Sequence, residues 1–116
     1  MRTDFILDFE TLGQDALRCP AIDCGIGTFV WERFLDEPYT FKELTSGHCK
    51  RLKLSVEDQV KNYGAVVEKK TVQFWEDQDP EVRQHIKPSN RDLTQKEFCD
   101  MFISFLCDSP KIEYWW

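Results

Sequence analysis

The chain has 116 residues, 41% of them hydrophobic and 14% aromatic, and a formal net charge of −6. That length holds one domain and excludes two ordinary ones, and the apolar share excludes wholesale disorder. The acidic balance disfavours wrapping nucleic acid by bulk charge, but it leaves open an anionic substrate bridged through metal ions.

Residues 4–10, within "FILDFETLG", predict a strand that ends in a turn at Thr11-Leu12-Gly13. Alternation puts Phe5, Leu7 and Phe9 on one face and Ile6, Asp8 and Glu10 on the other. Residues 21–34, "AIDCGIGTFVWERF", predict a second strand and hairpin partner of the first. After Asp36-Glu37-Pro38, "YTFKELTSGHCKRLKLSVEDQV" predicts a third strand with a loop at Ser46-Gly47, and Asn62-Tyr63-Gly64 a turn. Thr71 is the expected N-cap of a short helix, "VQFWEDQ". Asp79-Pro80-Glu81 starts the next helix, which Pro88 stops. Thr94-x-x-Glu97 has the form of a capping box, and Phe98, Met101, Phe102, Phe105 and Leu106 fall at helical spacing behind it. Asp108-Ser109-Pro110 ends that helix, and "KIEYWW" opens a further strand. A strand that follows a helix in this way predicts an antiparallel sheet gaining a parallel strand by crossover.

No apolar run approaches membrane-spanning length, and Asp4 and Asp8 interrupt the only apolar stretch near the N-terminus. Neither a membrane span nor a secretory signal is expected, and the expected location is the cytoplasm. Cys19, Cys24, Cys49, Cys99 and Cys107 form no C-x-x-C pair, and His48 and His85 lie far apart. Free thiols are expected and a zinc site is not.

The feature that needs explaining is the acidic pair. Two unpaired carboxylates on one face of a half-buried strand repel each other and lose hydration. A basic partner (Arg18 or Arg33), a solvent-facing edge, a shared proton or a divalent cation each resolves the conflict. Asp and Glu oxygens at a strand end are hard ligands suited to Mg²⁺ or Mn²⁺, and two such ions can hold a phosphodiester and activate water.

"ILDFETLG" followed by "AIDCGIGTF" resembles the first exonuclease motif of the DEDD superfamily of 3′→5′ exonucleases. "KKTVQFWEDQDPEVRQHIKPSNRDLTQKEF" resembles the helical stretch of phage exonucleases of the exonuclease A type and of related bacterial exoribonucleases. The resemblance implies an α/β chain that is the N-terminal portion of a ribonuclease H-like fold: a three-stranded antiparallel sheet, then helices, then the start of another strand. It implies metal-dependent removal of nucleoside monophosphates from a 3′ end, single-stranded DNA first and RNA as the alternative. By it, Asp8 bridges both metals (Mg²⁺ or Mn²⁺) and Glu10 binds the ion that positions the attacking water. Thr11 lies near the terminal 3′-OH and Leu12 wedges against a base, although a turn residue and a core residue are the plain readings of the two. Asp23 reads as a polar residue at the hairpin edge or a group behind the metal ligands. For a phage protein, the cytoplasm would be that of the host bacterium.

The later motifs of the family, with a further Asp, a general-base His and a last Asp, have no match here, and neither His48 nor His85 takes their place. Residues 1–116 are therefore expected to form one incomplete exonuclease domain, inactive or weak alone. Such a half-site would pair with a second polypeptide or self-associate through the Trp115-Trp116 end. A non-catalytic binding or assembly module is the alternative from another class. Lys50, Arg51 and Lys53 in "HCKRLKL" offer either a path for a phosphate backbone or a solvated strand face. Phe74, Trp75 and Phe98 could stack bases or simply fill the core.

Overall fold

The alternating residues at the start of the chain do build a strand. The computed structural model describes residues 3–108 and 112–115. Its β1 (Thr3–Thr11) pairs antiparallel with β2 (Ala21–Val30), placing Asp8 opposite Gly25 and Glu10 opposite Asp23. β3 (Cys49–Lys53) joins the other edge of β2, also antiparallel. β4 (Ile112–Trp115) runs parallel to β1, so the sheet order is β3-β2-β1-β4. This is the α/β architecture expected of a partial ribonuclease H-like fold, including the parallel strand added by crossover. Trp116 lies outside the described residues.

Among the described residues the α-helices are α1 (Trp31–Asp36), α2 (Phe41–Glu43), α3 (Val56–Tyr63), α4 (Lys69–Glu76), α5 (Pro80–Ile86) and α6 (Gln95–Asp108). No helix among the described residues is long and apolar enough to cross a membrane.

The back of the sheet carries the core. Phe5, Cys24, Ile26, Leu52 and Leu54 are buried together, and α6 lays Phe98, Phe102, Phe105 and Leu106 against them. Phe5 meets the rings of Phe102 and Phe105 at centroid distances of 5.9 and 5.7 Å, and Phe9 meets Phe98 at 6.1 Å. Burial fades along β1, from 0% exposure at Phe5 to 44% at Phe9, because the packed end of the strand is its N-terminal end. The capping box of α6 is present: the Thr94 hydroxyl accepts from Glu97 N, and the Glu97 carboxylate accepts from Thr94 N, each at 3.1 Å. Met101, expected on the packed stripe, is instead 45% exposed, at the margin of that stripe.

Four local expectations need correction. Residues 31–34 are helical, not strand, because β2 pairs with β1 only as far as Val30, opposite Thr3. The third strand is confined to Cys49–Lys53. Before it, Thr40 and Glu43 form a capping box that starts α2, which runs on into a wide helical turn, Leu44–His48, where a loop at Ser46-Gly47 was expected. After it, the Ser55 hydroxyl accepts from Asp58 N and caps α3, which ends at Gly64 in the left-handed region, φ 70°. Finally, α4 begins after Glu68 rather than at Thr71. Glu68 N donates to Leu12 O at 2.9 Å, which pins the chain there and lets the helix start at once. The α5 start at Asp79-Pro80 and its end before Pro88 are as expected.

Candidate nuclease site

The front of the sheet presents the acidic pair in open surroundings. Asp8 and Glu10 are both exposed, on the same face of β1, with Cα atoms about 7 Å apart at strand spacing. Neither has a hydrogen-bond or ion-pair partner among the described residues. Arg33 is taken by Glu43 and stacks on the Tyr39 ring, and Arg18 pairs with Asp15 at 3.7 Å. The two basic partners weighed for the acidic pair are therefore engaged elsewhere.

Asp23 is not the hairpin-edge residue of the plain reading. β2 is a central strand, so Asp23 is only 7% exposed, directly opposite Glu10. Burial, then Asp8, then Asp23 push the Glu10 carboxyl above the usual range for a glutamate. The Cys24 thiol rises to about 11, by burial first and then by the same two aspartates. For charges about 7 Å apart, the repulsion runs from about 0.6 kcal/mol in bulk water to about 2 kcal/mol at an effective dielectric of about 20. That is small enough for the chain to fold with the pair unpartnered, and large enough to favour a cation.

Just past the pair the ladder breaks. Glu10 faces Asp23 but Thr11 faces Ala21, so Ile22 is the extra residue of a bulge, a device that re-aims the end of a strand. The Thr11 hydroxyl donates to Gly13 O at 2.6 Å, and its carbonyl accepts from Trp75 Nε1 at 3.1 Å. Leu12 is held by both backbone groups, its N–H on Pro20 O at 3.0 Å and its carbonyl under Glu68 N. The Glu68 carboxylate accepts from Gln14 N at 3.2 Å and from the Cys19 thiol at 3.3 Å. Gly13 is required in that clamp: a Cβ there would lie 2.0 Å from Cys19 Sγ and 2.8 Å from its Cβ.

These straps hold α4 beside the strand end and leave an open cleft of about 520 Å³, lined by Glu10, Thr11, Gln14, Lys70, Phe74 and Trp75 among others. Phe74 is 56% exposed, whereas Trp75 is half-buried and committed to Thr11. Phe98 belongs to the core. Trp75→Phe keeps the ring and removes the donor, so the Thr11 carbonyl loses its partner. Denaturant unfolding should show a loss of about 1–3 kcal/mol; wild-type stability would mean that the strap bears no load.

The basic run resolves into neither alternative as a whole. Arg51 pairs with Asp23, and Lys53 pairs with Asp92 at 2.7 Å while its ammonium also meets Lys87 O at 2.5 Å. Lys50 lies on the back face over the Phe105 ring. The run ties β3 to α5 and its following loop. Glu68 and Lys70 were missed as site-shaping residues, and Arg51 was weighed only as a phosphate path or a solvated face, because nothing local in the sequence says what they meet across the fold.

The family model of the 3′-5′ exoribonuclease Rv2179c-like domain matches residues 3–116. The chain belongs to this family of DEDD-type exonucleases. It is also similar to an exodeoxyribonuclease of Enterobacteria phage T4, at 30% identity over 112 residues. That alignment covers 97% of the chain and 46% of the phage protein, so the chain spans about half the length of this curated relative. No solved structure is a significant match. The resemblance seen in "ILDFETLG" and the helical stretch is thus a family relationship.

Do Asp8 and Glu10 suit a divalent cation? Their chemistry fits: two hard carboxylates on one open face, without a partner among the described residues, and the proton affinity of Glu10 is raised by burial first and then by Asp8. They fit as part of a ligand set. Among the described residues no group of three or more His, Cys, Asp or Glu side chains converges to complete it.

Proposed function

We propose that this chain forms the first-motif half of a metal-dependent 3′→5′ exonuclease site that acts on DNA. The observation that carries the reading is the exposed Asp8–Glu10 pair beside the α4 cleft, without a partner among the described residues, in a chain of this family. Asp8 and Glu10 would hold Mg²⁺ or Mn²⁺, which when bound supplies charge neutralisation at the phosphodiester and an activated water. Thr11 and Leu12, fixed by their bonds to Trp75, Gly13, Pro20 and Glu68, meet the terminal nucleotide. Exposed Phe74 offers a ring for base stacking, and Lys70 a charge for the backbone phosphate. These 116 residues supply the first pair of carboxylates, and the general base and remaining carboxylates of the site lie outside them.

DNA is preferred because the phage relative is an exodeoxyribonuclease that aligns along nearly the whole chain. RNA is the second reading, favoured by the exoribonuclease description of the family. The test uses 5′-labelled DNA and RNA strands of one sequence with Mn²⁺. The full chain is assayed alone and mixed with a polypeptide equivalent to the remainder of the phage relative. A 3′-shortened DNA ladder in the mixture, weak or missing with the chain alone and lost in Asp8→Ala, supports the reading. Shortening of RNA but not DNA moves it to the second. Cleavage that survives Asp8→Ala, or none in the mixture, overturns it.

A further inference from the structure

The acidic face holds a third carboxylate that is not free to bind anything. In the ladder, Asp8, Gly25 and Arg51 form one cross-strand row, and Glu10, Asp23 and Lys53 the next. Asp23 thus stands beside Glu10 at cross-strand spacing, about 5 Å between Cβ atoms. By position alone it would join Asp8 and Glu10 around a cation. Lys53, its row neighbour, is spent on Asp92. The guanidinium of Arg51 instead crosses diagonally to Asp23, with Nε at 2.6 Å and a terminal nitrogen at 2.5 Å from the same oxygen, Oδ2. A terminal nitrogen of Arg51 also donates to His85 O at 2.8 Å, in the last turn of α5. Carbonyls at a helix C-terminus favour a cation, so α5 anchors the guanidinium from the other side. Gly25 carries no side chain, and a Cβ there would come no closer than 3.7 Å to Asp8 O, so the floor between Asp8 and Arg51 is open.

We infer that Arg51 is a positioning residue of the acidic face: by holding Asp23 it keeps that carboxylate out of the ligand set and leaves Asp8 and Glu10 as the cation-facing pair. The inference rests on the proposed cation site, and it adds that Arg51 offsets part of the charge that Asp23 would otherwise present to that site. Its signature is a pattern of charge. Arg51→Gln leaves a bare carboxylate beside the site, Asp23→Asn leaves a bare guanidinium, and the double variant is neutral again.

The test is Mn²⁺ titration of the full chain, with free Mn²⁺ read by electron paramagnetic resonance. Arg51→Gln should tighten binding roughly five- to tenfold, the size expected for one unit charge acting through water on a divalent ion about 7 Å away. Asp23→Asn should weaken it by a similar factor, and the double variant should return to wild-type affinity. A merely structural ion pair would not give that return. Arg51→Gln binding no tighter than wild type overturns the inference. So does a double variant as weak as Glu10→Gln, which would make Asp23 itself a ligand. If Arg51→Gln does not fold, Asp23→Asn decides: unchanged affinity, or loss as complete as in Glu10→Gln, sinks the idea. Asp8→Asn in the same series tests the cation site separately, since intact binding there defeats the proposed function, whereas the Arg51 and Asp23 pattern judges only this inference.

Discussion

Phe5→Ala is expected to cost about 3–5 kcal/mol, enough to unfold much of the population of a marginally stable chain of this size. Phe5 is fully buried and touches two rings of α6, so truncation removes apolar burial and opens a cavity between sheet and helix at once. The cavity cannot collapse easily, because β1 is held by β2 on one side and β4 on the other. Phe9→Ala, at the exposed end of the same face, should cost far less. Urea denaturation followed by circular dichroism measures both. Equal losses at the two positions would contradict the gradient of burial along β1.

Asp8→Asn should abolish metal-dependent cleavage by the reconstituted site and lower Mn²⁺ affinity by at least about 10–100-fold, the loss that even outer-shell partners of a metal can produce. Folding should respond in the opposite sense. Glu10 titrates above its ordinary range because of burial, Asp8 and Asp23, so its interactions favour the folded state at low pH, and that contribution is lost as pH rises through the raised value. Asp8→Asn and Glu10→Gln should therefore both melt higher than wild type near neutral pH. The gap should close as pH falls and wild-type Glu10 takes up its proton. Thermal melts from pH 4 to pH 8 give the answer. Variants less stable than wild type at neutral pH would mean that the pair contributes to folding rather than waiting for a cation.

The elements legible in the sequence were those whose signals are local. The Thr94–Glu97 box, the aromatic stripe behind it, the proline boundaries of α5 and the alternation of β1 each lie within a few residues, and all appear in the structure. The boundaries that failed were decided at a distance. Residues 31–34 have strand-like composition but no strand beside them past Val30. Thr71 is a sound cap by composition, but Leu12 holds Glu68 and starts α4 earlier. The third-strand bounds are the exception: the caps at Thr40 and Ser55 are local signals, set among apolar and β-branched residues that suggest a longer strand.

The acidic pair follows the same division. That Asp8 and Glu10 share a face is a consequence of strand periodicity, and the sequence alone determined it, together with the family motif they sit in. That neither meets Arg18 or Arg33, that Asp23 is buried opposite Glu10, and that Arg51 rather than Lys53 pairs with it were decided only by tertiary structure. Periodicity is a property of one chain segment, whereas the partner of a charge depends on which segments are brought within a few ångströms. With 36 charged side chains in 116 residues, many pairings satisfy the composition, and only the folded sheet selects among them.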